Sequence, residues 1–285
     1  MRLLVTGATG KVGQAFLPAF LVDSRFRDWE VAALCHNRTL EAADRLSVVA
    51  GSMADPDVVA HALQGVTHVV HLAAVKETPQ QIFDVALKGL FLLLDAFRQS
   101  ELARQFILLS GDCVVGHIFQ RYDGPITEAS ERRAYKGSYA LTKALEEVML
   151  EQFGVQHGVR WTTLRAPWIM EKDDFRFALS LGDDQFGGPP WAEVMSVAAL
   201  DACRKGGCVP VMRDAAGRHL KRNFIHVDDL VRALLAAIDN PVADGQLFNI
   251  CMDRPVDYGD LAALLVDRHG LRPIDIDTPS GRPII

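Results

Sequence analysis

The feature that most constrains this chain is its opening run, MRLLVTGATGKVG. Leu3, Leu4 and Val5 form a short apolar stretch, Gly7, Gly10 and Gly13 follow at even spacing, and a helical pattern continues to Phe20. Strand, glycine turn and helix N-terminus in that order leave backbone N–H groups free and keep Cβ atoms out of the way where phosphates approach. The ligand this suits is a dinucleotide pyrophosphate, held by Gly7, Thr9, Gly10, Lys11, Val12 and Gly13.

Strand-length apolar runs alternate with helical segments through the first two-thirds. The strands are expected at Leu3–Thr6, Val31–Leu34, Ser47–Val49, His68–Leu72, Gln105–Leu109 and Thr162–Leu164. Helices are expected near 12–22, 55–64, 80–100 and 137–156, the second opened by an Asp55 cap and Pro56. This alternation predicts an α/β fold with a doubly wound parallel sheet of Rossmann type and a smaller C-terminal substrate lobe. Regularity fades after Pro167, with Asp173-Asp174, Gly187-Gly188-Pro189-Pro190 and one helix near 192–204. The sheet is expected to resume at Asn223–Val227 and Leu247–Ile250, with a helix around Asp229–Ile238 between them and an amphipathic helix near 258–269 closing the chain. Residues 1–166 plus 223–251 then make the dinucleotide-binding domain, and 167–222 plus 252–285 the substrate lobe.

A net charge of −6 gives no support for nucleic-acid or anionic-membrane partners. No apolar run approaches the roughly 18 residues of a membrane span. The first residues read as a strand and not as a leader, and the five cysteines are scattered without a C-x-x-C. The expectation is a cytoplasmic protein with reduced thiols and no metal site.

Two further signals concern the cofactor and the chemistry. An NAD-reading strand end normally carries an Asp or Glu about 20 residues after the glycines. Here Cys35 stands there, Arg38 follows, and Lys11 lies in the glycine loop, a set that favours NADP over NAD. Tyr139 and Lys143 sit four apart in the helical segment SYALTKALEEVML and so share one face. A phenol titrates near about 10, and a neighbouring ammonium together with the positive oxidised nicotinamide lowers that by roughly 1–3 pH units, into the range where it removes a hydroxyl proton.

These residues resemble the extended short-chain dehydrogenase/reductase family, the branch of NAD(P)-dependent sugar epimerases and dehydratases. The resemblance runs along the chain through TGATGKVG at 6–13, HLAA at 71–74, LLSGDCVVG at 108–116 and YALTK at 139–143. LRAPW at 164–168, RNFIHVDDL at 222–230 and FNI at 248–250 complete it. It implies oxidation of a sugar or nucleotide-sugar hydroxyl, with Tyr139 as base and Lys143 holding the nicotinamide ribose. Leu72, Ala73, Ala74 and Pro167 would line the cofactor. Arg222 would meet an anionic sugar, with Trp168 and Asp112 beside the substrate, and a helix-mediated homodimer is expected.

Three positions depart from the family pattern. Its catalytic Ser or Thr stands where this chain has Gly111, so the hydroxyl falls to Ser110, and a one-residue shift turns a strand side chain to the opposite face. Either Ser110 still points inward, or Asp112 or Cys113 serves instead. Ala86 replaces a frequent Asn, and Ser52-Met53 an acid that often meets the adenine. The C-terminus stops early, so part of the usual lobe is expected to be missing. Dehydration would need a second acid beside Asp112, and Cys113 stands there. What remains is an oxidoreductase or epimerase, a net dehydrogenase of a free or acidic sugar, or a silent NADP-sensing regulator.

Overall fold

A computed structural model describes residues 1–75, 78–116, 122, 124–172, 174, 195–213 and 217–277. Its largest element is a seven-stranded, all-parallel sheet. The strands are β1 (Arg2–Thr6), β2 (Glu30–Cys35), β3 (Leu46–Ala50), β4 (His68–His71), β5 (Gln105–Gly111), β6 (Trp161–Ala166) and β7 (Gln246–Asn249). Their spatial order is β7-β6-β5-β4-β1-β2-β3. The order reverses between β1 and β4, and a crevice opens beyond the carboxyl ends of two such strands.

The sheet is apolar because helices cover both of its faces; every residue of β5 is buried. On one face Leu4, Leu34, Val69, Phe106 and Leu108 pack against α4 (Gly89–Arg98) and α5 (Ser138–His157), through residues such as Leu93, Phe97, Leu150 and Phe153. Towards α4 lies α2 (Pro56–Ala62), whose N-terminus is capped by the Asp55 carboxylate accepting from the Asp57 N–H at 2.9 Å. Elsewhere in the unit α1 (Lys11–Val22) packs on α6 (Val227–Ala237), and the Phe20 ring stacks on Phe26 with centroids 4.5 Å apart. The helix expected over 80–100 is interrupted: α3 (Pro79–Ile82) passes into a π-helical stretch, Phe83–Lys88, before α4 begins.

The described residues fall into two compact units. The first contains residues 1–116, 126–166 and 227–250 and is built on the seven-stranded sheet; the second takes the remaining described residues. In the second unit Trp168–Met170 pairs in parallel with Phe224–His226, and Cys208–Arg213 with Arg272–Asp277. Lys221–Arg222 pairs antiparallel with Val256–Asp257. The strand expected at 223–227 is therefore not part of the main sheet; it is Phe224–His226, and helix α6 starts at once behind it. The helix Val197–Gly206 and the helix Tyr258–His269, capped by Asp257 through the Gly259 N–H at 2.8 Å, complete the unit. Its core is Met170, Val209, Leu220, Phe224, Tyr258 and Leu265.

The expectation of five reduced thiols is corrected here. Cys203, near the end of one helix, and Cys208, at the start of the next strand, form a disulfide with Cα atoms 4.9 Å apart. The two lie on either side of the Gly206-Gly207 turn, and the short connection brings them together. Asp173 and the Gly187–Pro190 run lie outside the described residues. Among the described residues no helix is long and apolar enough to cross a membrane.

Candidate active site

The glycine loop sits at the reversal point of the sheet. Gly7 has φ of 68°, and a Cβ there would lie 2.6 Å from the Ala73 nitrogen just after β4. A Cβ on Gly13 would stand 2.5 Å from the carbonyl oxygens of Gly7 and Ala8. The turn is closed by the Gly10 N–H donating to the Gly7 carbonyl at 2.9 Å, and no side chain caps α1. The Gln14 amide donates to the Thr9 carbonyl at 3.0 Å; Val12 is buried and Lys11 exposed.

Leu72 and Ala73 are drawn to the same place. The Leu72 N–H donates to the Thr6 carbonyl at 3.2 Å and the Ala73 N–H to the Thr6 hydroxyl oxygen at 3.3 Å, with Ala74 exposed beyond them. Under this strand end His71 is fully buried, its Nδ1 2.9 Å from Thr6 Oγ1. Burial first, and then the Lys143 ammonium, push its pKa down to about 3. At the end of β2 the Cys35 thiol is buried, which raises its pKa, while Arg38 is exposed in the bend beyond. Pro167 follows β6 directly and is buried.

Helix α5 holds the Tyr–Lys pair. The Lys143 ammonium is 3% exposed and donates to the Leu109 carbonyl at 3.1 Å and to Glu146 Oε2 at 2.7 Å. Tyr139 is half-buried and packs with the group formed by Cys113, Val114 and Ala140. Its pKa lies above the ordinary phenol value, from burial first, then Cys113, Glu146 and Asp112. Asp112 is partly exposed and opens the 3-10 turn Asp112–Val115 after β5; Cys113 is buried, and its thiol is likewise held up.

Strand alternation puts Ser110 on the same face as Phe106 and Leu108, under α5. There its hydroxyl donates to Glu147 Oε1 at 2.6 Å. The same carboxylate accepts from Arg165 Nε at 3.1 Å and Nη2 at 2.8 Å, and from Arg132 Nε at 2.9 Å. Arg132 also pairs with Glu151. Ser110 is thus engaged with a buried carboxylate.

Glu146, Glu147, Arg132, Arg165 and His71 were not singled out from the sequence. The available signal was the register: two adjacent acids on the inward face of α5, and an arginine inside the buried strand LRA.

The profile of the NAD dependent epimerase/dehydratase family matches residues 3–170, more than half of the chain, including the glycine loop and the Tyr–Lys helix. The chain belongs to that family. Among curated relatives, vestitone reductase from Medicago sativa is 22% identical over 267 residues, covering 86% of this chain and 75% of the relative. A short-chain dehydrogenase/reductase superfamily protein from Agrobacterium tumefaciens, solved with bound NAD, superposes with a TM-score of 0.79 at 24% identity, over 100% of this chain and 87% of that one. UDP-glucuronic acid 4-epimerase from Bacillus cereus, solved with UDP-glucuronic acid and NAD, gives 0.74 at 18% identity, over 99% and 88%. At these identities the two structures speak for the fold. The epimerase/dehydratase family is NAD-dependent, and the glycine loop of this chain fits a dinucleotide: the two Cβ positions that a side chain would fill stay clear, and the α1 amides are not capped by a side chain.

In the second unit, the Arg222 guanidinium lies over the Trp168 ring, 3.4 Å from its centroid. Arg222 also hydrogen-bonds Tyr258, whose phenol is raised by burial and lowered by that arginine. The two residues expected to meet substrate are therefore stacked on each other.

Proposed function

We propose that this protein is a nicotinamide-dependent oxidoreductase acting on a hydroxyl or carbonyl carbon of a sugar or nucleotide-sugar, with Tyr139 moving the proton. The observation that carries the reading is Tyr139 and Lys143 on the inward side of α5, in a chain whose glycine loop fits a dinucleotide. A bound nicotinamide supplies or takes the hydride. Around it, Gly7, Thr9, Gly10, Lys11, Val12 and Gly13 hold the phosphates, Leu72, Ala73, Ala74 and Pro167 line the cofactor, and Lys143 reaches the ribose. Arg38 and Lys11 are cations of the kind that attract the extra phosphate of NADP, so both dinucleotides belong in the assay.

The raised pKa keeps the proton on Tyr139, which suits donation to a carbonyl oxygen as hydride arrives. Net reduction and its reverse, dehydrogenation, fit this better than dehydration, since the group after Asp112 is a buried, protonated thiol. With Ser110 bound to Glu147, Asp112 is the better-placed polar group after β5. In the second unit the stacked Arg222–Trp168 pair offers a cationic and aromatic wall, suited to an acidic or phosphorylated sugar. We also propose a homodimer through the outward apolar side chains of α4 and α5.

The test is nicotinamide absorbance with NAD and NADP in both redox states, against pooled free, acidic and nucleotide-linked sugars and their keto forms. Wild type is expected to turn over, and Tyr139→Phe to lose about 100-fold or more in rate while binding cofactor as before. A fully active Tyr139→Phe would remove the proposed proton role. Tight cofactor binding without net redox change would favour an epimerase or the silent regulator.

A further inference from the structure

One strand of the second unit, Cys208–Arg213, serves two apolar groups. Cys208, its first residue, packs with Leu200, Cys203 and Ile276, whereas Val209 and Val211 pack with Met170, Phe224 and Tyr258. The second group carries the stacked pair. Phe224 meets the Trp168 ring edge-on with centroids 6.0 Å apart, and Tyr258 hydrogen-bonds Arg222, which lies over Trp168. A shift at the start of this strand is therefore passed through Val209 towards Trp168 and Arg222.

The Cys203–Cys208 disulfide sits at that start. It spans only five positions, so closing it constrains the unfolded chain little. The small group around it is distinct from the core of the unit, and local opening there leaves that core packed. Arg272, the exposed first residue of the paired strand, lies against the bond. Its N–H donates to the Gly207 carbonyl at 2.9 Å, and its Nη2 donates to Cys208 Sγ at 3.8 Å. A Cβ on Gly206 would stand 2.6 Å from that nitrogen, so the glycine makes room for the guanidinium. A cation at a sulfur favours the thiolate, which supports the reduced pair and makes Cys208 the better leaving group.

We propose that Cys203 and Cys208 form a redox-sensitive clasp, opened by a dithiol, that sets the packing of Trp168 and Arg222. A thiolate of the dithiol attacks Cys203 Sγ, the Cys203–Cys208 bond breaks, and Cys208 leaves as a thiolate beside Arg272. The second thiol of the dithiol, as its thiolate, then displaces Cys203 from the mixed disulfide, and Cys203 takes up a proton. Two electrons pass to the protein, and the dithiol becomes a disulfide. What this does to substrate binding rests on the reading of the Arg222–Trp168 wall given above; the clasp itself does not.

The test uses the full chain purified without reductant, then treated with dithiothreitol in native buffer. Mass spectrometry after alkylation is expected to find free thiols at Cys35, Cys113 and Cys251 before treatment, and at Cys203 and Cys208 as well after it. Tryptophan emission is expected to change on reduction and to recover when excess oxidised dithiothreitol restores the bond. The difference from Trp168→Phe assigns that change to Trp168, and the double change Cys203→Ser with Cys208→Ser is expected to show no response. Across graded ratios of reduced to oxidised dithiothreitol, Arg272→Gln is expected to need about two- to fivefold more reductant for half-reduction. Arg272→Lys, which keeps a cation, is expected to shift less.

Five free thiols in the protein as purified would overturn the proposal, as would a pair that reduces only in urea that unfolds the chain. So would reduction that leaves Trp168 emission unchanged, or an Arg272→Gln midpoint equal to wild type. These readouts do not use turnover, so the clasp and the proposed reaction can each fail without the other.

Discussion

Glu147 shows how much one side chain can organise. It has no exposed surface and takes donors from Ser110, Arg165 and Arg132, which joins β5, β6 and the segment before α5 through a single carboxylate. Removing one partner of a buried, hydrogen-bonded ion pair strands the other charge, at a cost of about 3–5 kcal/mol. Glu147→Ala is therefore expected to lower stability by that amount in urea unfolding. Ser110→Ala, which deletes one donor and leaves both arginines paired, is expected to cost about 1–2 kcal/mol. Equal losses for the two would mean that the arginines find other partners. The same scale decides the glycine loop. Gly13→Ala would press a methyl onto two backbone carbonyls that cannot yield without moving the turn, so weaker dinucleotide binding is expected by calorimetry.

At the scale of the element, α5 is built inside out. Lys143, Glu146 and Glu147 face the protein, while Leu141, Leu145 and Val148 are exposed at 45%, 39% and 40%. An ordinary surface helix does the reverse. Phe91 of α4 is 48% exposed and Phe83 of the π-helical stretch 46%, which extends the apolar character along the neighbouring helical run. An outward apolar face of this kind marks a contact surface. Leu145→Glu is expected to leave the fold intact and shift the protein to monomer in sedimentation velocity. Wild type already monomeric at micromolar concentration would remove the proposed dimer.

For the molecule as a whole, the buried histidines tie stability to pH. His68, held down to about 4 chiefly by burial, and His71, held down to about 3, both stay neutral in the native state, whereas an unfolded histidine titrates near about 6.5. Below that pH the unfolded chain binds more protons than the native one, so stability rises with pH across this window and is lost on acidification. The urea midpoint is expected to hold above about pH 7 and to drop between about pH 6 and 4, by up to about 1.4 kcal/mol per pH unit for each histidine. His71→Gln should flatten part of that slope. A midpoint unchanged down to about pH 4 would mean that the histidines charge without unfolding the protein.

The local signals were sufficient for the parallel sheet, the glycine loop at its reversal point and the Tyr–Lys helix, because each rests on short-range rules. Apolar strands buried on both faces, glycines where a Cβ collides and four-residue spacing on a helix are all legible in one dimension. The strand Phe224–His226 read correctly as a strand but not as to its partner, since pairing with Trp168–Met170 joins residues more than fifty positions apart. Cys203 and Cys208 read as unrelated thiols until the Gly206-Gly207 turn brought their backbones together. The partners of Lys143 and Ser110 were likewise decided only in three dimensions. Sequence spacing says that a lysine lies beside a tyrosine, but not how deeply it is buried or which counter-ion it meets. Those depend on which strand ends and carboxylates the fold packs around it.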